Sequence, residues 1–224
     1  MLCKDYRCIF VHIPKTAGQS VERTFLDLVG LSWETRDALL LRQNTDRELG
    51  PPKLAHLTAA EYVSAGYVTP TDFELFYKFS FVRNPWARIV SEYRFRRHAR
   101  RFDFKSFLQA NLPEPGSDQY IHLRPQYDFL YAESGRCLVD FVGRFESLQA
   151  DFNKVCRDLG IDEMVLPHTN SSPSDAPPRK REIRKYLWYL RQVRRQRANT
   201  FDHYTEYYDA ESIAWVAAMY ERDI

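Results

Sequence analysis

The stretch "HIPKTAGQS", residues 12 to 20, follows the apolar run "CIFV" and precedes "VERTFLDLV", whose Val21, Phe25, Leu28 and Val29 keep helical spacing. A buried strand over 8 to 13, a tight turn with Gly18 and a helix capped by Ser20 make a phosphate cradle. Successive backbone N–H groups, a lysine, the hydroxyls of Thr16 and Ser20 and a helix N-terminus all suit an anion. The lysine precedes the glycine, however, and the G-x-x-x-x-G-K-[ST] spacing of a nucleotide triphosphatase is absent.

A second strand-to-helix junction lies downstream. "YKFSFV", residues 77 to 82, reads as a central strand, and Asn84 and Pro85 are good N-cap and N1 residues for a helix with Trp86, Ile89, Val90 and Tyr93 on one face. Arg83 then stands at a strand's carboxyl end, where open α/β sheets bind ligands. Arg88 and Ser91 are three apart and share a helical face. Arg83 with Ser91 can hold a second anion, the guanidinium giving paired donors.

Between the junctions, residues 31 to 52 are polar and end in "GPP", "KLAHL" is short and strand-like, and "TAAEYVSAG" suggests a helix stopped by Gly66. "ESLQADFNKVCRDLG" is an amphipathic helix, with Leu148, Phe152, Val155 and Leu159 inward and Gly160 at its end. "TNSSPSDAPP" breaks regular structure. A helix then carries Ile183, Tyr186, Leu187, Leu190 and Val193 along one stripe, and a last one near 209 to 221 packs through Ile213, Val216, Ala217 and Tyr220. Repeating strand–turn–helix units favour an α/β sheet.

The chain has 224 residues, which suits a single domain over 1–224 with a basic helical insertion near 178–200. Its net charge of +2 hides local asymmetry. From Arg179 to Arg197 nine Lys/Arg face Glu182 alone, and a second basic cluster runs from Arg88 to Arg101. Such clustering points to anionic ligands. Cys3, Cys8, Cys137 and Cys156 form no C-x-x-C pair and have no histidines at zinc spacing, so they read as free thiols of a reducing compartment. No apolar run nears the ~20 residues that span a bilayer, and "MLCKDYR" leads straight into a strand. A cytoplasmic location is the expectation.

In this order, "HIPKTAGQS" and "FVRNPWARIVSEY" resemble the carbohydrate sulfotransferases that use 3′-phosphoadenosine 5′-phosphosulfate (PAPS). The resemblance implies a parallel sheet flanked by helices, of the P-loop kinase-like sulfotransferase kind. It also implies that Lys15, Thr16, Ala17, Gly18, Gln19 and Ser20 surround the 5′ end of the donor, while Arg83 and Ser91 hold its 3′-phosphate. A weaker likeness runs through "LRPQYDFL", "VGRFESL" and "LPHTNSS" to the end of the chain. A sulfuryl group carries less charge than the phosphoryl group that Mg²⁺ neutralises in triphosphate enzymes, so no metal is required. Lys15 can stabilise the leaving phosphate as charge builds on it.

"KLAHLTAAEYV" is similar to the histidine-bearing segment of heparan sulfate 2-O-sulfotransferases, with Ala55 where that family has glycine. The resemblance makes His56 the base that takes the acceptor's proton, a role a neutral imidazole suits near pH 7. His12, His122 and His168 are the other candidates, with His12 placed to orient the loop. Gln126 and Arg124 either face the acceptor or pack a loop. The basic segment either lies solvated on the domain or meets a polyanion or membrane surface. A nucleic-acid partner is not expected, since no recognised motif accompanies the arginines. The expected activity is sulfuryl transfer to a hydroxyl of a sugar, glycolipid or other glycoconjugate. A P-loop-type small-molecule kinase and a non-enzymatic polyanion-binding module are the alternatives.

Overall fold

The structure, a computed structural model, describes residues 1–114, 117, 119–167 and 183–224. His168, the Pro/Ser-rich stretch and Arg179 to Glu182 lie outside the described residues. Four strands, β1 (Leu2–Cys3), β2 (Cys8–Val11), β3 (Tyr77–Val82) and β4 (Phe141–Arg144), form one sheet in that order. The sheet is mixed. β1 runs antiparallel to β2, with Cys3 opposite Cys8, while β2, β3 and β4 are parallel. The all-parallel expectation therefore fails at one edge, where only Lys4–Arg7 separate β1 from β2 and a connection that short can only turn back.

The helices are α1 (Gly18–Leu28), α2 (Glu61–Ser64), α3 (Pro70–Leu75), α4 (Pro85–Phe95), α5 (Phe104–Ala110), α6 (Tyr127–Leu130), α7 (Leu148–Asp158), α8 (Ile183–Ala198) and α9 (Ala210–Met219). They fall into two compact units. The first holds Met1–Asn84, the described residues from 117 to 167 and Asp223; the second holds 85–114, 183–222 and Ile224.

In the first unit, the period-2 alternation of the strands sorts side chains to two faces. Cys8, Phe10, Phe79 and Phe81 point to one face and pack with Val21 and Phe25 of α1 and Phe152, Val155 and Cys156 of α7. Ile9 and Val11 point to the other, against Leu54, Leu57, Tyr62, Phe73 and Phe129. Helices thus cover both faces, the arrangement that lets parallel strands bury both sides. "KLAHL" is not a strand. It forms a 3-10 turn at Leu54–His56 behind the Pro51-Pro52 pair, with a lone bridge between Gln43 and Lys53.

The second unit packs α4 through Ile89, Val90 and Tyr93, all buried. Tyr93 meets Phe104 and Phe107 of α5 and the ring of Tyr207. Arg88 is also buried, its guanidinium 5.7 Å from the centre of the Tyr220 ring. Val216 on α9 and Tyr220 just past it pack inward as the spacing predicts, but Ile213 is exposed. Ser212 takes the buried place instead, tied to Asp209 in a capping box.

Candidate active site

β2 and β3 are parallel neighbours, with Val11 paired to Ser80, so their carboxyl ends open on the same edge of the sheet. The chain leaves β2 into His12–Ala17 and leaves β3 into Arg83. An Nη1 N–H of Arg83 donates to the carbonyl of Lys15 at 3.3 Å. Its guanidinium lies 4.0 Å from the centre of the Phe145 ring. The loop and the arginine, 68 positions apart in sequence, therefore meet.

Lys15 and Ala17 have φ of 72° and 67°, a left-handed conformation that side-chain-bearing residues seldom hold. Each costs about 1–2 kcal/mol. α1 starts at Gly18 with Ala17 as N-cap, so the helix begins two residues before the expected cap. Ser20 lies inside the first turn, buried, with its N–H donating to the carbonyl of Ala17 at 2.9 Å. The Thr16 hydroxyl donates to the carbonyl of Ile13 at 2.8 Å, bracing the loop from within. Gln19 is exposed, and Lys15 is half-buried.

Gly18 serves a different need from the one expected of it. Its φ is ordinary, but a Cβ there would stand 2.0 Å from the His12 ring. The glycine gives the imidazole its room. His12 Nδ1 lies 2.5 Å from Oε1 of Glu22, and both side chains are buried. Glu22 was not among the expected residues. The four-residue spacing of Gly18, Glu22 and Leu26 could have placed it on the buried face.

His12, His56 and His122 are all buried, with ring centroids 4.7 Å apart for the first pair and 5.4 Å for His56 and His122. His56 Nδ1 lies 3.1 Å from the carbonyl oxygen of His12. A carbonyl can only accept, so Nδ1 carries the proton and Nε2 keeps its lone pair. Burial first, then the neighbouring His12 and His122 imidazoles, hold the pKa of His56 well below its usual value, against the opposing pull of that hydrogen bond.

Gln126 packs against the backbone of Arg83. It is buried, its Oε1 accepting from the Arg83 backbone N–H and its Nε2 donating to the Arg83 carbonyl, both at 2.8 Å. The Asp223 carboxylate accepts in turn from the backbone N–H groups of Gln126 and Tyr127, at 2.9 and 2.8 Å. Ser91 lies on α4 in the second unit, half-buried. Among the described residues, no group of three or more His, Cys, Asp or Glu side chains is placed to hold a metal ion. Nor is any helix there long and apolar enough to cross a membrane.

An anion-ready loop beside an arginine, with a neutral buried imidazole at hand, is the equipment of a group-transfer enzyme acting on an anionic donor. The model of the Sulfotransferase family matches residues 1–224, so the chain belongs to that family and its reaction class is sulfuryl transfer. It is also 28% identical over 106 residues to an uncharacterized protein of Archaeoglobus fulgidus, a match covering 46% of this chain and 83% of that protein. No solved structure matches it.

Proposed function

We propose that this chain moves the sulfuryl group of PAPS to a hydroxyl of a sugar or glycoconjugate, with His56 as base. The observation that carries the reading is the meeting of Arg83 with the Lys15 carbonyl where two parallel strands end. The residues fit such a donor. The first turn of α1 has no acidic side chain, and the helix N-terminus adds partial positive charge to that of Lys15 and Arg83. Lys15, Thr16, Ala17, Gly18, Gln19 and Ser20 would hold the 5′ end, and Arg83 with Ser91 the 3′-phosphate. When bound, PAPS supplies the sulfuryl group and a phosphate leaving group.

His56 Nε2 takes the proton of the attacking hydroxyl, while the Nδ1–H bond to the His12 carbonyl fixes the tautomer and becomes stronger as the ring gains charge. Glu22 and Gly18 hold His12, and His12 thereby orients His56. Lys15 offers its charge to the departing phosphate. The acceptor class follows from the resemblance of the segment that carries His56.

Pre-steady-state transfer of radiolabelled sulfonate to a panel of sugar and glycolipid acceptors tests these roles. His56→Ala should keep donor affinity nearly intact and lose on the order of 10²–10⁴-fold in turnover. Lys15→Ala should slow the chemical step with every acceptor. Full turnover in His56→Ala would move the base role to His12 or His122.

A further inference from the structure

The stripe expected to bury α8 packs only in part, at Val193, and fails at Leu187 and Leu190. From Leu187 to the end of the helix, Tyr189, Gln192, Val193 and Gln196 are the partly buried residues, whereas Leu187, Trp188 and Leu190 are exposed by 59, 62 and 43%. The packed side is fixed by polar contacts within its own unit. Arg100 Nε donates to the Gln196 Oε1 at 2.9 Å, and just past the helix Asn199 Nδ2 donates to the Ala99 carbonyl at 2.9 Å. The helix is seated, with its leucines and tryptophan facing out.

Arg191, Arg194, Arg195 and Arg197 are exposed as well, and no acidic residue occurs from Ile183 to Thr200. At about 100° per residue, Leu187, Arg191 and Arg194 lie within roughly 40° of one line. Trp188 lies beside Arg195 on one flank and Leu190 beside Arg197 on the other. Leu187 and Leu190 gain little from a solvated polysaccharide or nucleic acid, whose accessible surface is mostly polar. A bilayer interface offers both partners at once, headgroup phosphates for the arginines and the acyl boundary for Leu187, Leu190 and Trp188. We infer that the outer face of α8 docks in the plane of an anionic lipid bilayer. This does not rest on the identity of the donor or acceptor.

The test is co-sedimentation of the full chain with vesicles of pure phosphatidylcholine and of phosphatidylcholine mixed with phosphatidylglycerol. Binding is expected only to the anionic vesicles, falling as salt rises. It should bring a blue shift in tryptophan emission that Trp188→Phe removes. Replacing Arg191, Arg194, Arg195 and Arg197 with Gln should weaken partitioning roughly 10²-fold or more. Leu187→Gln with Leu190→Gln should weaken it by about tenfold or more. Equal binding to both vesicles, an unmoved Trp188 emission in the unmutated chain, or retained binding in the arginine variant would overturn the inference. So would binding to soluble heparin that displaces the vesicles and ignores the leucine replacements.

Discussion

His56 is buried beside two other imidazoles, and that environment sets its chemistry. An ordinary histidine is partly protonated near pH 6.5, whereas this one stays neutral well below that. The alkaline plateau of turnover should therefore extend well into the acid range. Stability follows the same shift. Below about pH 6.5 the unfolded chain binds a proton here and the folded chain does not, so stability falls as pH falls. The slope is at most about 1.4 kcal/mol for each pH unit, until the folded value is reached. Chemical denaturation of the parent and His56→Gln at a series of pH values should show a steeper acid loss in the parent. Parallel curves would contradict the buried, neutral ring. Gly18 makes the related point that the motif's glycine answers a packing demand, while Lys15 and Ala17 carry the unusual backbone.

At the level of elements, the Gln126 amide closes a two-hydrogen-bond ring with the backbone of Arg83 just past β3, and Asp223 holds Gln126 in place. Gln126→Ala should remove both hydrogen bonds to the Arg83 backbone and cost about 1–3 kcal/mol. Because Arg83 is the proposed 3′-phosphate ligand, it should also reduce the preference for adenosine 3′,5′-bisphosphate over adenosine 5′-phosphate. Lost stability with an unchanged preference would leave Gln126 as packing alone. Elements carried by strong local periodicity were legible in the sequence: β3 spans the six residues of "YKFSFV", and α7 ends before Gly160, whose φ is 67°. "KLAHL" misled because a few alternating apolar residues can serve a strand or a turn, and only burial decides. On α8 the expected stripe through Leu187, Leu190 and Val193 competes with one through Tyr189, Gln192 and Gln196, and periodicity cannot say which meets a neighbour. The Gln126 clamp and the tautomer of His56 depend on contacts 43 and 44 positions apart, beyond the reach of any local pattern.

Across the whole molecule, charge is distributed unevenly. The exposed arginines of α8 belong to the second unit, and the loop with Arg83 to the first. The proposed donor site of the first unit calls for two separate anionic groups on the ligand, one at the loop and one at Arg83, in place of a triphosphate. The most direct measurement is the melting temperature with adenosine 3′,5′-bisphosphate, adenosine 5′-phosphate, or ATP with Mg²⁺. At 100 times its dissociation constant a ligand adds roughly 2.7 kcal/mol of stability. The bisphosphate should give a clear upward shift, the other two much smaller ones, and Arg83→Ala should erase most of the difference. Equal shifts from the bisphosphate and from ATP with Mg²⁺ would contradict the assignment.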